Sequence, residues 1–279
     1  MTEQDRYIPG VPCWIDTDRR DPGAAVDFYR GLFDWQVEDV MPPGAPGHYF
    51  TARLHGQDVA AIGSLPEGAP ADPAWNTYVW VQDADETAER VAAAGGGVVS
   101  EPTDVGDAGR MAVFTDPEGA GFRVWQPRRH RGATAVNEPG ALNFNELHVR
   151  DLQAADRFYG TVFGWDRIPV GDGHAWALPA YGDFLEQRTP GMQQGMKEMG
   201  APDRFWEVVA SVSPITDAAA PRWTVTFGVH DTDAVAARAV ELGGRVVVPP
   251  FDAPWVRLAV IADPDGAEFT ASRFVPPNG

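Results

Sequence analysis

The sequence predicts an α+β fold built from four βαβββ units in two tandem halves. Three observations predict it. The stretch "DPGAAVDFYRGLFDW" at 21–35 returns as "DLQAADRFYGTVFGW" at 151–165, with seven of fifteen residues identical. A second pair, "VQDADETAERVAAAGGGVV" at 81–99 and "VHDTDAVAARAVELGGRVV" at 229–247, lies 148 residues apart, and "DPEGAGF" at 116–122 answers "DPDGAEF" at 263–269. Self-similarity at a nearly fixed spacing marks an internal duplication. The first pair is 130 apart and the second 148, so the later half carries about 18 extra residues (148 − 130). Third, each half contains the same succession twice: a short strand, a capped helix and a run of short strands.

In the first unit, about 12 to 65, "CWIDTD" alternates in polarity as a strand does. Asp21 can cap the following helix, Pro22 suits its first turn, and Ala25, Phe28, Tyr29 and Leu32 share one face of a helix over 22–33. In the second, about 75 to 127, "TYVWVQ" reads as a strand, 84–94 as a helix stopped by Gly95 to Gly97, and "GVVSEP", "RMAVFTD" and "FRVWQP" as strands. The third unit, about 141 to 188, has its helix over 152–163, and the fourth spans about 222 to 274. The domains are therefore expected at 1–127 and 141–279, with the linker "RRHRGATAVNEPG" at 128–140 and an insertion near 190–206, where the third unit hands over to the fourth. The repeated Phe, Tyr, Phe and Trp fall on the buried side of each helix and on its exit. An aromatic stripe so placed packs against a sheet.

Composition sets the broad class. At 279 residues and 44% apolar content the chain can bury a proper core. Its net charge of −18, from 40 acidic against 22 basic residues, repels polyanions and argues against nucleic acid or an anionic membrane as partner. No apolar run approaches the roughly 18 residues that span a bilayer, the opening "MTEQDRYIPG" lacks a basic-then-apolar leader, and Cys13 is the single cysteine. The expectation is a reduced cytoplasmic protein, monomeric or homodimeric, whose partner is a hydrophobic or aromatic small molecule. Ten tryptophans suit either a large aromatic core or the walls of an apolar ligand site.

These motifs bear a family likeness. A first strand leading into "D-x-x-x-A-x-x-FY-x-x-x-F-x-W", the stops "AAAGGGVV" and "ELGGRVV", and the turns "DPEG" and "DPDG" before each final strand resemble the vicinal oxygen chelate superfamily. That superfamily includes glyoxalase I, extradiol dioxygenases and the fosfomycin and bleomycin resistance proteins. The resemblance covers nearly the whole chain. It implies two tandem glyoxalase-like domains, each with an eight-stranded curled mixed sheet forming a cup in which binding or catalysis takes place. One scaffold hosts lyases, oxygenases, epimerases and plain binders, so function has to be read from the cup.

In that family the first metal ligand stands seven residues before the helix-capping Asp. Here those positions hold Trp14, Asn76, Phe144 and Thr224, and the matching last-strand positions hold Arg123 and Thr270. Trp, Phe and Arg do not ligate a divalent cation, and Asn and Thr alone bind one weakly. Glu186 in "GDFLEQ" falls near the place where glyoxalases carry a Glu on a last strand, without a His partner at the matching positions. No metal and no cofactor are expected.

Strand alternation lists the side chains that share the ligand-facing side with those positions. They are Trp14, Asp16 and Asp18; Asn76, Tyr78 and Trp80; Phe144, Glu146 and His148; and Thr224, Thr226 and Gly228. Glu146 and His148, two apart on one strand, project the same way and can serve as acid and base around one substrate, with Glu186 as a further carboxylate. The alternative is that Glu146 salt-bridges a neighbouring Arg and His148 sits at the exposed end of the strand. Asp16 and Asp18 hold the equivalent places in the first half and suit a cationic ligand, or are solvated edge acids. In the insertion, Met192, Met196 and Met199 are spaced for one face of a short helix, either a soft lid or a packed surface element. Trp255, with Arg222 and Arg257, is a candidate for the mouth of the second cup.

Two functions remain. One is a metal-independent enzyme of lyase, isomerase, cyclase or hydroxylase type, acting on an aromatic, natural-product-like substrate. The other is a sequestering protein that resembles the drug-binding resistance proteins. The asymmetry of the halves favours the enzyme, because one cup has Glu146, His148, Glu186 and a lid, where the other has Asp16 and Asp18 and no insertion. The sequence leaves open whether the units pair in order or exchange.

Overall fold

The structure, a computed structural model, describes residues 6–68, 73–215 and 219–275. Residues 1–5, part of the segment searched for a leader, lie outside them. The first repeat comprises β1 (Pro12–Arg19), α1 (Pro22–Phe33), β2 (Gln36–Asp39), β3 (Tyr49–Leu54) and β4 (Gln57–Ser64). The second comprises β5 (Trp75–Trp80), α2 (Ala84–Ala93), β6 (Gly97–Val105), β7 (Gly109–Thr115) and β8 (Gly121–Pro127). The third has β9 (Leu142–Val149), α3 (Leu152–Phe163), β10 (Asp166–Val170) and β11 (Gly173–Ala177). Helices α4 (Pro179–Arg188) and α5 (Met192–Glu198) and a 3-10 turn at Phe205–Glu207 then precede its last strand, β12 (Val208–Pro214). The fourth has β13 (Arg222–Gly228), α6 (Thr232–Glu241), β14 (Arg245–Ala253), β15 (Val256–Ala262) and β16 (Glu268–Phe274). The strands form two eight-stranded mixed sheets, in the orders β2-β3-β4-β1-β5-β8-β7-β6 and β10-β11-β12-β9-β13-β16-β15-β14, neither closed into a barrel. Repeats therefore share sheets in chain order. Among the described residues no helix is long and apolar enough to cross a membrane.

Every repeat starts its helix in the same way. Asp21, Asp83, Asp151 and Asp231 each accept a bond from a backbone N–H of the first turn, at 2.9 to 3.0 Å. The third repeat, however, does not end near 188. Its fourth strand is β12, which runs parallel to β9 with Ser213 beside His148. The extra residues are thus inserted inside the repeat, between β11 and β12, and not at its junction with the next. Glu186, expected near a last strand, stands on α4, because Pro179 opens a first turn and Tyr181, Phe184 and Leu185 follow at helical spacing.

By internal packing the chain forms two compact bodies that do not follow its two halves. One contains residues 14–76, 133–144 and those from Thr224 onward. Here the Phe28 ring lies against Gly244, where an added Cβ would come within 3.0 Å of the ring and 2.7 Å of the Ala262 carbonyl, so no side chain fits. The Tyr29 hydroxyl donates to Asp263 Oδ2 at 2.9 Å and accepts from Trp75 Nε1 at 3.0 Å. Arg19 Nη2 reaches the same carboxylate oxygen at 2.8 Å, and Trp35 Nε1 donates to the Gly140 carbonyl. The other body contains the chain up to Cys13, 77–132 and 145–223. It repeats the device with Phe158 against Gly96, Tyr159 donating to Asp116 at 3.2 Å, Trp223 donating to Tyr159, and Trp165 donating to the Gly10 carbonyl. The recurring FY, GG and DPxG motifs are therefore parts of one packing unit. Each FY pair meets the GG and the Asp of the opposite half of the chain.

The two units differ in one charge. Where the first has Arg19, the corresponding strand position of the second is Val149. Burial pushes the Asp116 carboxyl above its usual range, opposed by bonds from the Ala120 and Glu118 N–H groups and from Tyr159. A carboxyl raised on folding costs nothing below its ordinary value of 3.8; the cost grows as pH rises from there to the raised value and is constant above it. Asp116→Asn keeps an oxygen for those N–H groups and is expected to gain on the parent in melting temperature as pH rises above the ordinary carboxyl value of 3.8, the gain levelling off once the raised value is passed. A difference that is flat or shrinks with pH contradicts this.

Candidate functional site

Strand β9 alternates as a strand with one covered face does. Asn145, Leu147 and Val149 are buried, whereas Phe144, Glu146 and His148 are half-buried on the opposite side. Glu146 and His148 are brought together, with Oε2 and Nε2 3.7 Å apart and side chains 26% and 25% exposed. On the neighbouring β12, Ser213 donates its hydroxyl to Glu146 Oε1 at 2.5 Å. One carboxylate oxygen is thus oriented by a hydroxyl while the other faces an imidazole. The half-open face of β9 thus carries a carboxylate and an imidazole side by side.

The first half has a different arrangement. Trp14 and Asp16 on β1 are buried and Asp18 is half-buried. Asp16 accepts from Asn76 Nδ2 at 2.9 Å and from the Tyr49 hydroxyl at 3.1 Å, and that hydroxyl accepts from Trp14 Nε1 at 3.2 Å. Asn76 also reaches Asp18 at 3.5 Å. Both oxygens of Asp16 are engaged by neutral donors. On β5, Tyr78 and Trp80 are buried, and Tyr78 accepts from Arg123 Nη1 at 2.8 Å, the two residues being in register across β5 and β8.

Strand β13 is the neighbour of β9 in its sheet. Thr224 and Thr226 occupy the half-buried positions of β13, with Thr270 of β16 beside Thr226. Trp255 sits at the turn between β14 and β15 with a left-handed φ of 70° and stacks on Phe274. Arg257 is held by Asp233 and Asp252, at 2.6 and 2.8 Å. Glu186 accepts from the N–H groups of Gln193 at 3.0 Å and Gly191 at 2.6 Å, and these bonds hold its carboxyl below the usual range. It braces α4 against the start of α5. In the insertion Met192 and Met196 are half-buried, Met199 is exposed, and the Lys197 ammonium lies 4.7 Å from the Trp206 ring centre. Sequence reasoning missed Ser213 and Tyr49. The alternation in "VVASVSP" was the available signal for the first; nothing local marked the second.

A family-type metal does not fit these residues. Trp14 and Asn76 direct N–H donors at Tyr49 and Asp16, Arg123 brings its own positive charge, and Phe144 offers no lone pair. Among the described residues no group of three or more His, Cys, Asp or Glu is placed to hold a metal ion.

The family model described as Glyoxalase/Bleomycin resistance protein/Dioxygenase superfamily matches residues 19–124 and again 141–270. CFP32 of Mycobacterium tuberculosis, named provisionally as a glyoxylase, is 39% identical over 281 residues, covering 99% of both chains. The anthracycline biosynthesis protein DnrV of Streptomyces peucetius is 38% identical over 280 residues, covering 95% of this chain and 94% of its own. Among solved structures, the 2,3-dioxygenase LapB from Pseudomonas sp. KL28 superposes with a TM-score of 0.62 at 11% identity, over 98% of this chain and 96% of that one. The Mn(II)-bound glyoxalase from Novosphingobium aromaticivorans gives 0.60 at 15%, over 95% and 82%. At such identities the structural likeness speaks for the fold alone.

Proposed function

The chain belongs to the Glyoxalase/Bleomycin resistance protein/Dioxygenase superfamily, and we propose that it is a metal-independent enzyme of that superfamily, moving protons on a hydrophobic, aromatic, natural-product-like small molecule. The observation that carries this reading is the Glu146–His148 pair on the half-open face of β9, with Ser213 fixing the carboxylate. Glu146 takes a proton from the substrate and His148 returns one to the atom that gains electron density, so the net reaction is an isomerisation, elimination or ring closure. Phe144, on the same face two residues before Glu146, supplies an apolar contact for an aromatic ring. The relationship to proteins named for anthracycline biosynthesis supports the substrate class.

The metal independence rests on donor chemistry at Trp14, Asn76, Phe144 and Thr224. The protein as purified is expected to carry substoichiometric Zn, Ni, Fe or Mn by elemental analysis, with melting temperature and activity unchanged by a chelator. One tightly held equivalent per domain contradicts it.

A second reading, a sequestering protein without catalysis, is favoured by the first half, where both Asp16 oxygens are already engaged within the protein. The small molecule that co-purifies with the chain, identified by mass spectrometry and returned to the pure protein, separates the two readings. The enzyme releases a changed compound; the binder returns the same one.

A further inference from the structure

The first and third repeats have the same strand order, so their residues correspond through the strand registers. Asp16 and Glu146 each stand five residues before the Asp that caps their helix, and Asp18 and His148 each three before it. In the first repeat Ala61 lies beside Asp16, Gly63 beside Asp18, and Tyr49 of β3 beside Gly63. In the third, Ser211 lies beside Glu146 and Ser213 beside His148. The antiparallel pairing of Ala175 with Ser211 and of His174 with Val212 continues, one residue on, to Gly173 opposite Ser213. Gly173 therefore stands where the first repeat has Tyr49.

The Tyr49 side chain is a phenol already seated in the first repeat. Its ring lies over Gly63, where an added Cβ would come within 3.1 Å of it. Its hydroxyl donates to Asp16 Oδ2 at 3.1 Å and accepts from Trp14 Nε1 at 3.2 Å. The third repeat keeps the carboxylate, as Glu146, and drops the ring. Gly173 is exposed, and beyond its chain neighbours a Cβ added there would meet only the Val170 carbonyl, at 3.6 Å. The flank of the place also changes character. Where Glu38 pairs with Thr51 in the first repeat, the third pairs Ile168 with Ala175, and these two belong to a small apolar cluster. Ser213 takes over the hydroxyl contact at Glu146 Oε1. A carboxylate has about four lone-pair sites, so it accepts from a second hydroxyl as well. We propose that the third repeat binds a phenol from solution in the place that Tyr49 fills in the first, its ring against Gly173 and Ser213 and its hydroxyl donating to Glu146. The inference rests on the proposed reaction site and names its substrate class, a hydroxyl-bearing aromatic.

Titration of the intact protein with 4-hydroxyacetophenone and 4-methoxyacetophenone, read by NMR of the probe, tests it, since the ether keeps the ring and lacks the donor. The parent is expected to bind the phenol at least about tenfold more tightly than the ether. Gly173→Tyr, which rebuilds the first repeat's arrangement in the third, is expected to raise the phenol's Kd at least about tenfold with the melting temperature unchanged. Should that variant melt early, Gly173→Leu fills the same place with the same expected weakening. Binding of the phenol that Gly173→Tyr abolishes, with the co-purifying compound returned unchanged, sustains the phenol site and removes the proposed reaction. A co-purifying compound converted by the parent and not by Glu146→Gln, with the phenol unbound up to about 10 mM, overturns this inference and leaves the reaction standing. Equal Kd values for phenol and ether, or an unchanged Kd in a folded Gly173 variant, also overturn it.

Discussion

Glu146→Gln is expected to lower turnover by about 10² to 10⁴, the range for losing a positioned acid or base, while substrate affinity changes little. The substitution is nearly isosteric. The amide oxygen still accepts from Ser213, so the side chain stays where β9 and β12 put it. What is lost is the ability to take a proton on the oxygen that faces His148 Nε2 at 3.7 Å. That confines the loss to the transition state, so kcat and kcat/KM fall together and KM holds. A sequestering protein gives the opposite pattern, with affinity weakened by about 1 to 3 kcal/mol for a lost charged hydrogen bond and no turnover in either form.

Phe28→Ala is expected to cost roughly 3 to 5 kcal/mol, read as a lowered denaturant midpoint. The ring is 2% exposed and meets Tyr29 edge-on at 5.0 Å between centroids. Its far edge fills the space that Gly244 leaves by having no side chain. Truncation leaves a void that the fixed neighbours cannot close, since Tyr29 is pinned by Asp263 and Trp75. A variant that unfolds at the parent's midpoint removes the FY motif from the load the core carries.

Much of this architecture could be read from the residues, because capping and periodicity are local. The helices 22–33 and 152–163 emerge from an Asp cap, a 3.6-residue aromatic stripe and a turn residue, and they are the observed α1 and α3. Other features depend on distance. The end of the third repeat was hidden because α4 and α5 interrupt the period before β12 completes it. The meeting of Phe28 with Gly244 and of Phe158 with Gly96 was not legible either: a stripe announces that a helix is covered, not which segment covers it. At the site the same division holds. Alternation along β9 put Glu146 and His148 on one face, while their partner Ser213 comes from a strand the pattern had not counted.

The most direct test of the central claim is a single-turnover experiment with the co-purifying small molecule, the parent protein and Glu146→Gln, run with and without a chelator and read by mass spectrometry of the products. The proton-transfer account predicts that the parent converts the compound at the same rate with chelator present, and that Glu146→Gln binds it as tightly but converts it at least about 100-fold more slowly. Conversion that stops on chelation, or a Glu146→Gln protein that converts as fast as the parent, contradicts it.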